Sequence, residues 1–464
     1  MYARALTATI LAATASQAHA QRLDAALRDT LVSDPEIAGA EAGVRGAEAN
    51  VDIVRSARSP VVAVDARAGY RVDDTLIGPR RRDALGVGLS LDIPLYTGGE
   101  FTWRVRSARA ALTAEQAQRD LTVNMRLATT AERYANLYRD GQIEAARETQ
   151  VANVATLLTA TRARERAGAS TATDSHQAVA RLELSRARLA QARAALTRSQ
   201  EDLREVSGSY VTAAEPAEPP ALPAAMIDDL PAQLPDFPAM KLAQARIDVA
   251  RADIRVARSG RSPRLYLSGQ SSAANDLITQ TSVPARFLNS VQFGLRLSVP
   301  LFQGGIVGAR VRQAEQQLAV RQDEKLATER ELVSAIRGQF AQLEAVNATL
   351  PALVTALDAS KAALVGVKTE ILVGARSELD VLNAQEEVTQ TEIQLAQVRQ
   401  QRLALAYSIL GMIGRLAPAE PARASRTVQA VRVPTVAAPV YAGMMQIRTA
   451  DGKDWSLTPG RRIA

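Results

Sequence analysis

The sequence predicts a mixed fold, a membrane β-barrel combined with an all-α tunnel, in which a unit of helix, β-hairpin, long helix and short helix occurs twice in tandem. Three observations support this fold class. The chain repeats itself at a spacing of 206 residues, each copy carries paired segments of alternating polarity, and long helical stretches follow those segments. Aromatic residues make up only 4% of the chain, which suits extended helices better than a bulky globular core.

The N-terminal segment, residues 1–20, has the features of a secretory signal peptide. Arg4 precedes a short apolar run and an Ala-x-Ala sequence ends the segment, so the mature chain is expected to begin at Gln21. No run of eighteen apolar residues follows, so a membrane span would have to be built from strands. The absence of cysteine excludes disulfides, thiolate metal sites, cysteine nucleophiles and a lipidated N-terminal cysteine.

One motif marks the repeat most clearly. Residues 93–100 recur as residues 299–306 with the pattern Pro-Leu-aromatic-x-Gly-Gly in both copies, and an Arg-Val-Arg run follows each. The prolines and glycines lie between an alternating pattern and a helical one, so they are predicted to form the junctions from strand to helix. The junction residues are Pro94, Gly98 and Gly99 in the first copy and Pro300, Gly304 and Gly305 in the second.

The boundaries of the units follow from this repeat. The first repeat is assigned to residues 21–212 and the second to residues 240–414. Residues 213–239 contain seven prolines, which cannot sustain a helix, and are assigned as a linker. The tail, residues 415–464, has no clear period and is assigned no regular structure.

Within each repeat, an amphipathic helix is predicted to precede a hairpin and two further helices. The predicted strands share an alternation of apolar and polar residues and lie at about 60–70, 85–95, 263–272 and 291–301. The later helices are predicted at about 101–166, 172–207, 305–372 and 378–413. Leucine recurs every seven residues from Leu182 to Leu203, which indicates a coiled-coil seam, and Pro351 is expected to kink its helix.

The number of strands requires an oligomer. Two hairpins give four strands per chain, whereas a closed membrane barrel needs about eight or more, and an open sheet edge is not tolerated in lipid. Two chains would give eight strands with a filled interior, and three would give twelve with room for a lumen.

Taken together, the signal peptide, the tandem repeat, the Pro-Leu-aromatic-x-Gly-Gly junctions and the run GARSELDVLNAQ at residues 374–385 resemble the TolC family over about residues 21–414. The resemblance implies an outer-membrane homotrimer, with a twelve-stranded barrel in contact with lipid and a helical tunnel in the periplasm. It implies as partners a periplasmic adaptor, or membrane fusion protein, and an inner-membrane ABC or proton-driven transporter. The chain would then be the exit duct of type I protein secretion or of multidrug efflux. Without an N-terminal cysteine, it is more similar to the non-lipidated members.

The turns between the long and short helices are predicted to be the helical tips that contact the adaptor. They share a glycine that ends one helix and a hydroxyl residue that begins the next. The tip residues are Gly168, Ala169, Ser170 and Thr171 in the first copy and Gly374, Ala375 and Ser377 in the second. A left-handed glycine cap and a capping box explain this pattern without any functional role.

The resemblance also implies that the second tip closes the periplasmic entrance. Arg376 matches the arginine that helps hold the entrance closed in the family, and Asp380 matches the aspartate that lines the constriction. Asn383 stands where some members have a second aspartate, so a single ring of carboxylates is expected. Asp174 is a further candidate for the same mouth, but a capping role is favoured for it.

The remaining function classes are disfavoured. The chain has two histidines, one of them within residues 1–20, so no catalytic, metal-binding or cofactor-binding residue is assigned and His176 is interpreted as a polar residue of the tip. The net charge of +7 comes mainly from arginines interleaved with Glu, Asp and Gln, which indicates a solvated helix surface and no nucleic-acid partner. A periplasmic adaptor or a structural coiled coil stays as the alternative, although neither needs paired amphipathic strands.

Overall fold

The computed structural model describes residues 22–75, 78–220, 222, 227, 229–278, 286–372, 375–416, 447–448 and 454–455. The chain divides into two compact units, Met1–Ala419 and Glu420–Ala464. In the smaller unit, Ile447–Arg448 pairs antiparallel with Asp454–Trp455. The tail therefore contains a short ladder, where the sequence predicted no regular structure.

Both repeats are built from the same series of elements. The first contains α1 (Leu23–Ser33), α2 (Pro35–Ser56), β1 (Val61–Thr75), β2 (Gly78–Tyr96), α3 (Glu100–Arg166) and α4 (Ala172–Ser207). The second contains α5 (Leu230–Gln233), a 3-10 turn (Leu234–Asp236), α6 (Pro238–Ser259), β3 (Arg264–Ile278), β4 (Arg286–Ser298), α7 (Ile306–Leu372) and α8 (Glu378–Ile413).

Corresponding helices have equal lengths in the two repeats. Helices α2 and α6 have 22 residues each, α3 and α7 have 67, and α4 and α8 have 36. At about 1.5 Å per residue, each long helix measures about 100 Å. Helix α7 runs through Pro351 without a break in its helical assignment.

The strands differ from the predicted ranges. They have 15, 19, 15 and 13 residues in chain order, against about ten predicted for each. The first three extend beyond the predicted segments, while β4 begins earlier than predicted and ends at Ser298. The alternating pattern therefore located each strand and underestimated its length.

The two shorter helices of the first repeat lie one after the other beside α3. At the start of α2, Asp34 pairs with Arg126 of α3 at 2.6 Å. Farther along α3, Arg133 pairs with Glu205 near the end of α4, and Glu165 accepts a hydrogen bond from a serine at the start of α4. Helix α3 also packs against α6 and α8, so it joins the helices of both repeats.

The buried core forms equivalent clusters in the two repeats. Tyr134 and Leu203 are buried together in the first, and Phe340 and Ile409, each 206 positions later, are buried together in the second. Helix α1 contributes Leu23 and Ala26 to the first cluster, and the segment of α5 and the 3-10 turn contributes Leu230 and Leu234 to the second. Each repeat thus begins with a short helical segment that covers its own core.

That arrangement corrects the linker prediction. The segment 213–239 includes α5, the 3-10 turn and the first residues of α6, and Leu230 is completely buried. Three of the seven prolines, Pro231, Pro235 and Pro238, lie in these elements and do not interrupt them, because each lies at the first or second position, where a proline N–H is not needed.

Helix α7 contains one unusually apolar stretch. Within the described residues, Ile306–Ile371 contains an eighteen-residue window that could cross a membrane by its length and composition alone. A search for an uninterrupted apolar run missed it because the window tolerates isolated charges. None of the window is buried within one chain, and Val354 and Val365 are exposed.

Candidate channel wall and helical tips

The four long strands form one antiparallel sheet in the order β1-β2-β3-β4. The register aligns side chains across all four strands, because Val64 pairs with Leu89, Leu89 with Ser271, and Ser271 with Val291. Residues two positions apart along a strand share a face, so a single line of pairs identifies each face of the sheet.

One face of this sheet is apolar over most of its width. The bulky members of this face are highly exposed: Val62, Val64, Val87, Leu89, Val291, Phe293, Leu295 and Leu297. Gly269 lies on the same face, and a Cβ atom there would come within 2.7 Å of the Phe293 ring, so glycine leaves room for the aromatic ring. An exposed apolar face of this size is expected where a sheet contacts lipid or another apolar surface.

The opposite face is polar. The line of pairs on that face joins Ala63, Ser90, Gln270 and Gln292. Neighbouring hydroxyls and charges interact across the strands, as between Arg296 and Asp92 at 3.6 Å. One wall of four strands can therefore meet hydrocarbon on one side and water on the other.

The predicted junction residues lie where strands pass into helices. Between β2 and α3, Gly98 and Gly99 have φ angles of 64° and 80°, and between β4 and α7 the corresponding values for Gly304 and Gly305 are 58° and 79°. Glycine adopts this left-handed region without the strain that a Cβ atom causes.

The two predicted prolines take different places at these junctions. Pro94 lies within β2, opposite Tyr266, next to a shift in register. Pro300 lies between β4 and α7. Both are near the helical end of their strand, where a missing N–H costs least in the ladder.

The first predicted tip is a capped turn between α3 and α4. Gly168 follows α3 with a φ angle of 76°, and in the turn Ala169 is exposed and Ser170 is half-buried. The N–H of Thr171 donates to Asp174 Oδ2 at 2.9 Å, and the N–H of Asp174 donates to Thr171 Oγ1 at 3.2 Å. These bonds form a capping box, and the N–H of Thr171 is the largest cause of the lowered pKa of Asp174.

The second predicted tip has the same cap. The N–H of Ser377 donates to Asp380 Oδ2 at 2.9 Å, and this bond is the largest cause of the lowered pKa of Asp380. Arg376 donates from Nε to Glu370 of α7 at 2.9 Å. Asn383, one turn after Asp380, is exposed.

Of the remaining residues of the second tip, Ala375 is exposed and its N–H donates to the Glu370 carbonyl. Gly374 lies outside the described residues. Asp174 and Asp380 therefore make the same local contacts. The sequence had indicated different roles for them, a helix cap for Asp174 and a constriction residue for Asp380.

Two glutamates that sequence reasoning missed connect the tips and helices of the two repeats. Glu378, the first residue of α8, binds Arg164 and Thr161 near the end of α3. Burial is the largest cause of the raised pKa of Glu378. Glu386, two turns later, accepts hydrogen bonds from Gln150 of α3 and Arg188 of α4.

A comparison of the two repeats could have identified these contacts from the sequence. The positions 206 residues before Glu378 and Glu386 are Ala172 and Ala180. A charge that replaces alanine in only one of two similar coiled-coil helices indicates a contact made by that copy alone.

The tips hold no evident centre for catalysis. Among the residues that the structure describes, no group of three or more His, Cys, Asp or Glu side chains could hold a metal ion. His176 is exposed on α4 near the first tip. The local chemistry is that of helix caps and ion pairs between helices.

Comparison with known proteins agrees with this architecture. The family model described as outer membrane efflux protein matches residues 26–209 and 234–415. Outer membrane efflux protein BepC of Brucella suis biovar 1 is 27% identical over 413 residues, 89% of this chain and 89% of that protein. Outer membrane protein TolC of Vibrio cholerae serotype O1 is 27% identical over 80% of this chain and 86% of its own length.

Among solved structures, the CmeC outer membrane channel of Campylobacter jejuni shares the fold. It aligns with a TM-score of 0.73 at 15% identity, covering 86% of this chain and 87% of the channel. The fold class and the outer-membrane location predicted from the sequence are thereby confirmed. The matched family consists of channels and is not a family of enzymes. This chain belongs to the outer membrane efflux protein family, the family of TolC, and is an outer-membrane efflux channel.

Proposed function

We propose that three copies of this chain form one exit duct, in which twelve strands close a barrel in the outer membrane and the helices form a periplasmic tunnel. The observation that carries the proposal is the sheet. Within the described part of the chain, β1 and β4 each pair with one neighbouring strand only, so the sheet has two open edges. Open edges cannot persist in hydrocarbon, because each unpaired backbone group there costs several kcal/mol.

Other chains are the occupants that would close these edges. Strand β4 of one copy runs antiparallel to β1 of the next when the alternation of the sheet is continued. Three copies give a barrel wide enough for a water-filled lumen, whereas two would fill the interior with side chains. The exposed apolar stretch of α7 supports the same assembly, because neighbouring helices would cover it.

The two tips would face the inner-membrane partners. We assign Gly168, Ala169, Ser170 and Thr171, with Gly374, Ala375 and Ser377, to the surface that contacts a periplasmic adaptor. The adaptor would connect the duct to an inner-membrane ABC or proton-driven transporter. The class of the transporter would decide whether the cargo is a secreted protein or a small molecule.

At the entrance, Asp380 would form a ring of three carboxylates, with Arg376 and Asn383 close to it. The lowered pKa keeps Asp380 ionised at neutral pH, so the ring would favour cations. The capping box uses Oδ2 of Asp380, and asparagine retains an oxygen that can accept the same hydrogen bonds. The variant Asp380→Asn should therefore lower cation selectivity in planar-bilayer recordings while keeping the helix cap.

The matched control for this entrance test is Asp174→Asn, which removes a charge from an equivalent cap. If Asp174 only caps its helix, selectivity should stay at the wild-type value. An unchanged selectivity in Asp380→Asn would exclude the carboxylate ring.

Disulfide cross-linking tests the assembly. Because the chain has no native cysteine, every cross-link must form between the introduced cysteines. Ala63→Cys in β1 is combined, one at a time, with cysteines at positions 290–298 of β4. Oxidation in outer-membrane vesicles should give covalent trimers on a non-reducing gel for some positions of this series.

The control pair is Ala63→Cys with Ser90→Cys, because these residues are paired within one chain and should give cross-linked monomers. Products that stop at dimers throughout the series would favour eight strands over twelve. No product larger than a monomer at any position would contradict closure through β1 and β4.

A further inference from the structure

A basic groove crosses the helices directly beyond the sheet. It has a volume of about 1190 Å³ and lies across α2, α3 and α6. Six arginines line it, against a single aspartate, Asp248. The arginines come in pairs from three segments: Arg55 and Arg58, Arg106 and Arg109, and Arg251 and Arg255.

Most of this positive charge is not neutralised within the chain. Arg55 pairs with Asp52 at 3.2 Å and Arg251 with Asp248 at 3.0 Å. The other four arginines of the groove have no carboxylate within 4.0 Å among the residues described. Positive side chains held together raise the local potential and attract anions.

The ring of Trp103 lies in the groove and contacts two of its arginines. The guanidinium carbon of Arg106 lies 5.4 Å from the centroid of its ring, and that of Arg255 lies 5.5 Å from it. Arg106 and Trp103 belong to α3, whereas Arg255 belongs to α6, so the ring gathers cations from two helices.

The end of the groove nearest the sheet lies at the depth of lipid headgroups. Strand β2 ends at Tyr96, and Trp103 and Arg106 are only three and six residues after the first residue of α3, which places them about 5–9 Å along the helix. A bilayer has a headgroup layer of about 5–8 Å on each side of its hydrocarbon core. Tryptophan is also enriched in this layer.

Helix geometry places one side of the groove on the lipid side of the wall. Glu100 binds Arg264, which shares the polar face of β3 with Ser268 and Gln270. Arg109 is nine residues after Glu100, about two and a half turns, and so projects from the opposite side of α3. Arg109 therefore lies on the side of the sheet's apolar face.

The second repeat lacks this site. The positions equivalent to Trp103 and Arg109 hold Ala309 and Glu315. Glu315 pairs with Arg258 at 2.9 Å, whereas Arg109, at the equivalent position, has no carboxylate within 4.0 Å among the residues described. The groove combines α2 and α3 of the first repeat with α6 of the second, and it does not follow from the repeated fold alone.

We propose that the groove binds the phosphodiester headgroup of an anionic phospholipid in the membrane leaflet that faces the helices. The unpaired guanidinium groups would bind the phosphate oxygens, and the acyl chains would lie against the apolar face of the sheet. The proposal rests on the outer-membrane location of the family. It does not require the entrance or the adaptor contacts proposed above.

Native mass spectrometry of the full-length assembly in detergent tests this proposal. The probes are dimyristoylphosphatidylglycerol, which is anionic, and dimyristoylphosphatidylcholine, which is zwitterionic. The wild type should bind the anionic lipid at least about tenfold more tightly, with one high-affinity molecule per chain. The variant R106Q/R109Q/R255Q should reduce that preference to about twofold or less.

The matched control is R261Q/R310Q/R312Q, which removes the same charge at the same depth in the second repeat. It should keep the wild-type preference. Equal losses in both variants, or an undiminished preference in the first, would overturn the site.

Two further measurements identify the source of the phosphate and guard against misfolding. Millimolar glycerol 3-phosphate should fail to displace the lipid, and full displacement would overturn a lipid-specific site in favour of a soluble phosphate. R106K/R109K/R255K should recover most of the preference because the charge is restored. Oligomer mass and pore conductance, recorded on the same samples, would reveal separately any failure of the duct proposal.

Discussion

The two repeats contain helices of equal length, yet they stabilise the same corner of the core by different chemistry. In the first, Asp34 is fully buried and pairs with Arg126, whose side chain is 16% exposed. In the second, the equivalent positions hold Phe237 and Leu332, which belong to one hydrophobic cluster. The comparison teaches that the repeat preserves geometry, whereas an ion pair and an apolar contact are interchangeable within it.

Outside the core, the differences between repeats occur where the chain meets other molecules or its own second copy. Trp103 and Arg109 are found only beside the first hairpin, because Ala309 and Glu315 take their places in the second repeat. Glu378 and Glu386 are found only in α8, where they contact α3 and α4. Departures from the repeat therefore indicate contacts better than any single motif does.

The largest effects are expected from the equivalent core aromatics. Tyr134→Ala and Phe340→Ala should each lower the free energy of unfolding in urea by about 3–5 kcal/mol, because both side chains are buried. Tyr134→Phe keeps the ring and removes only the hydroxyl. It should lower the free energy of unfolding by about 1 kcal/mol, because the 2.8 Å hydrogen bond to the Glu215 carbonyl is lost. A loss confined to one repeat would show that the two cores are not equivalent.

Exchange of the core chemistry gives the next largest effect. Asp34→Ala should cost about 3 kcal/mol, because it leaves Arg126 without its buried partner and removes the N-cap of α2. The double variant D34F/R126L, which copies the second repeat, should recover most of this loss in the same urea titration. A double variant less stable than Asp34→Ala would show that the first repeat requires its ion pair.

The capped tips should respond equally. Thr171→Ala and Ser377→Ala each remove one side-chain oxygen of a capping box and should lower helix stability by about 1 kcal/mol. Trypsin cleavage near the two tips, followed over time by mass spectrometry, measures the local opening. A much larger effect at one tip would mean that it has stabilising contacts which the other lacks.

The smallest effect is a decline of stability with rising pH that only the second tip should show. Glu378 has a raised pKa, so the folded chain holds its proton to higher pH than an unfolded carboxyl with the usual value of 4.5. Its contribution to stability is therefore greatest below that value and declines as pH rises through the raised pKa. The melting temperature of wild type relative to Glu378→Gln should decline in that direction, and a constant difference would contradict it.

The contributions of Asp174 and Asp380 to stability change with pH in the opposite direction. Their pKa values are lowered, so the stability they add is present above the usual value of 3.8 and is lost as pH falls through the lowered pKa. Acid conditions should therefore weaken both caps while they favour the neutral, partly buried form of Glu378.

The sequence predicted the order of elements well and their ends poorly, for identifiable reasons. Alternation revealed the strands only where one face is apolar, so the polar continuation of β2 toward Gly78 went unrecognised. The segment 213–239 was assigned as a linker because its prolines were counted without regard to position, although Pro231, Pro235 and Pro238 begin helical turns.

At the tips, local sequence patterns predicted the helix caps but not the contacts between the two repeats. The Ser-x-x-Asp spacing of Ser377 and Asp380 carries the capping box within four residues. The contact of Glu378 with Arg164 joins residues 214 positions apart, and no local pattern encodes it. The arginine groove was missed for the same reason, since it is assembled from three helices.

The open edges of the sheet have a consequence for how the protein's stability can be measured. A chain whose strands are completed only by other chains does not fold first and associate later; the two processes share one equilibrium. Its melting temperature should therefore rise with the number of copies per unit area of membrane. Dilution into excess lipid should unfold it at a temperature where a crowded membrane keeps it intact.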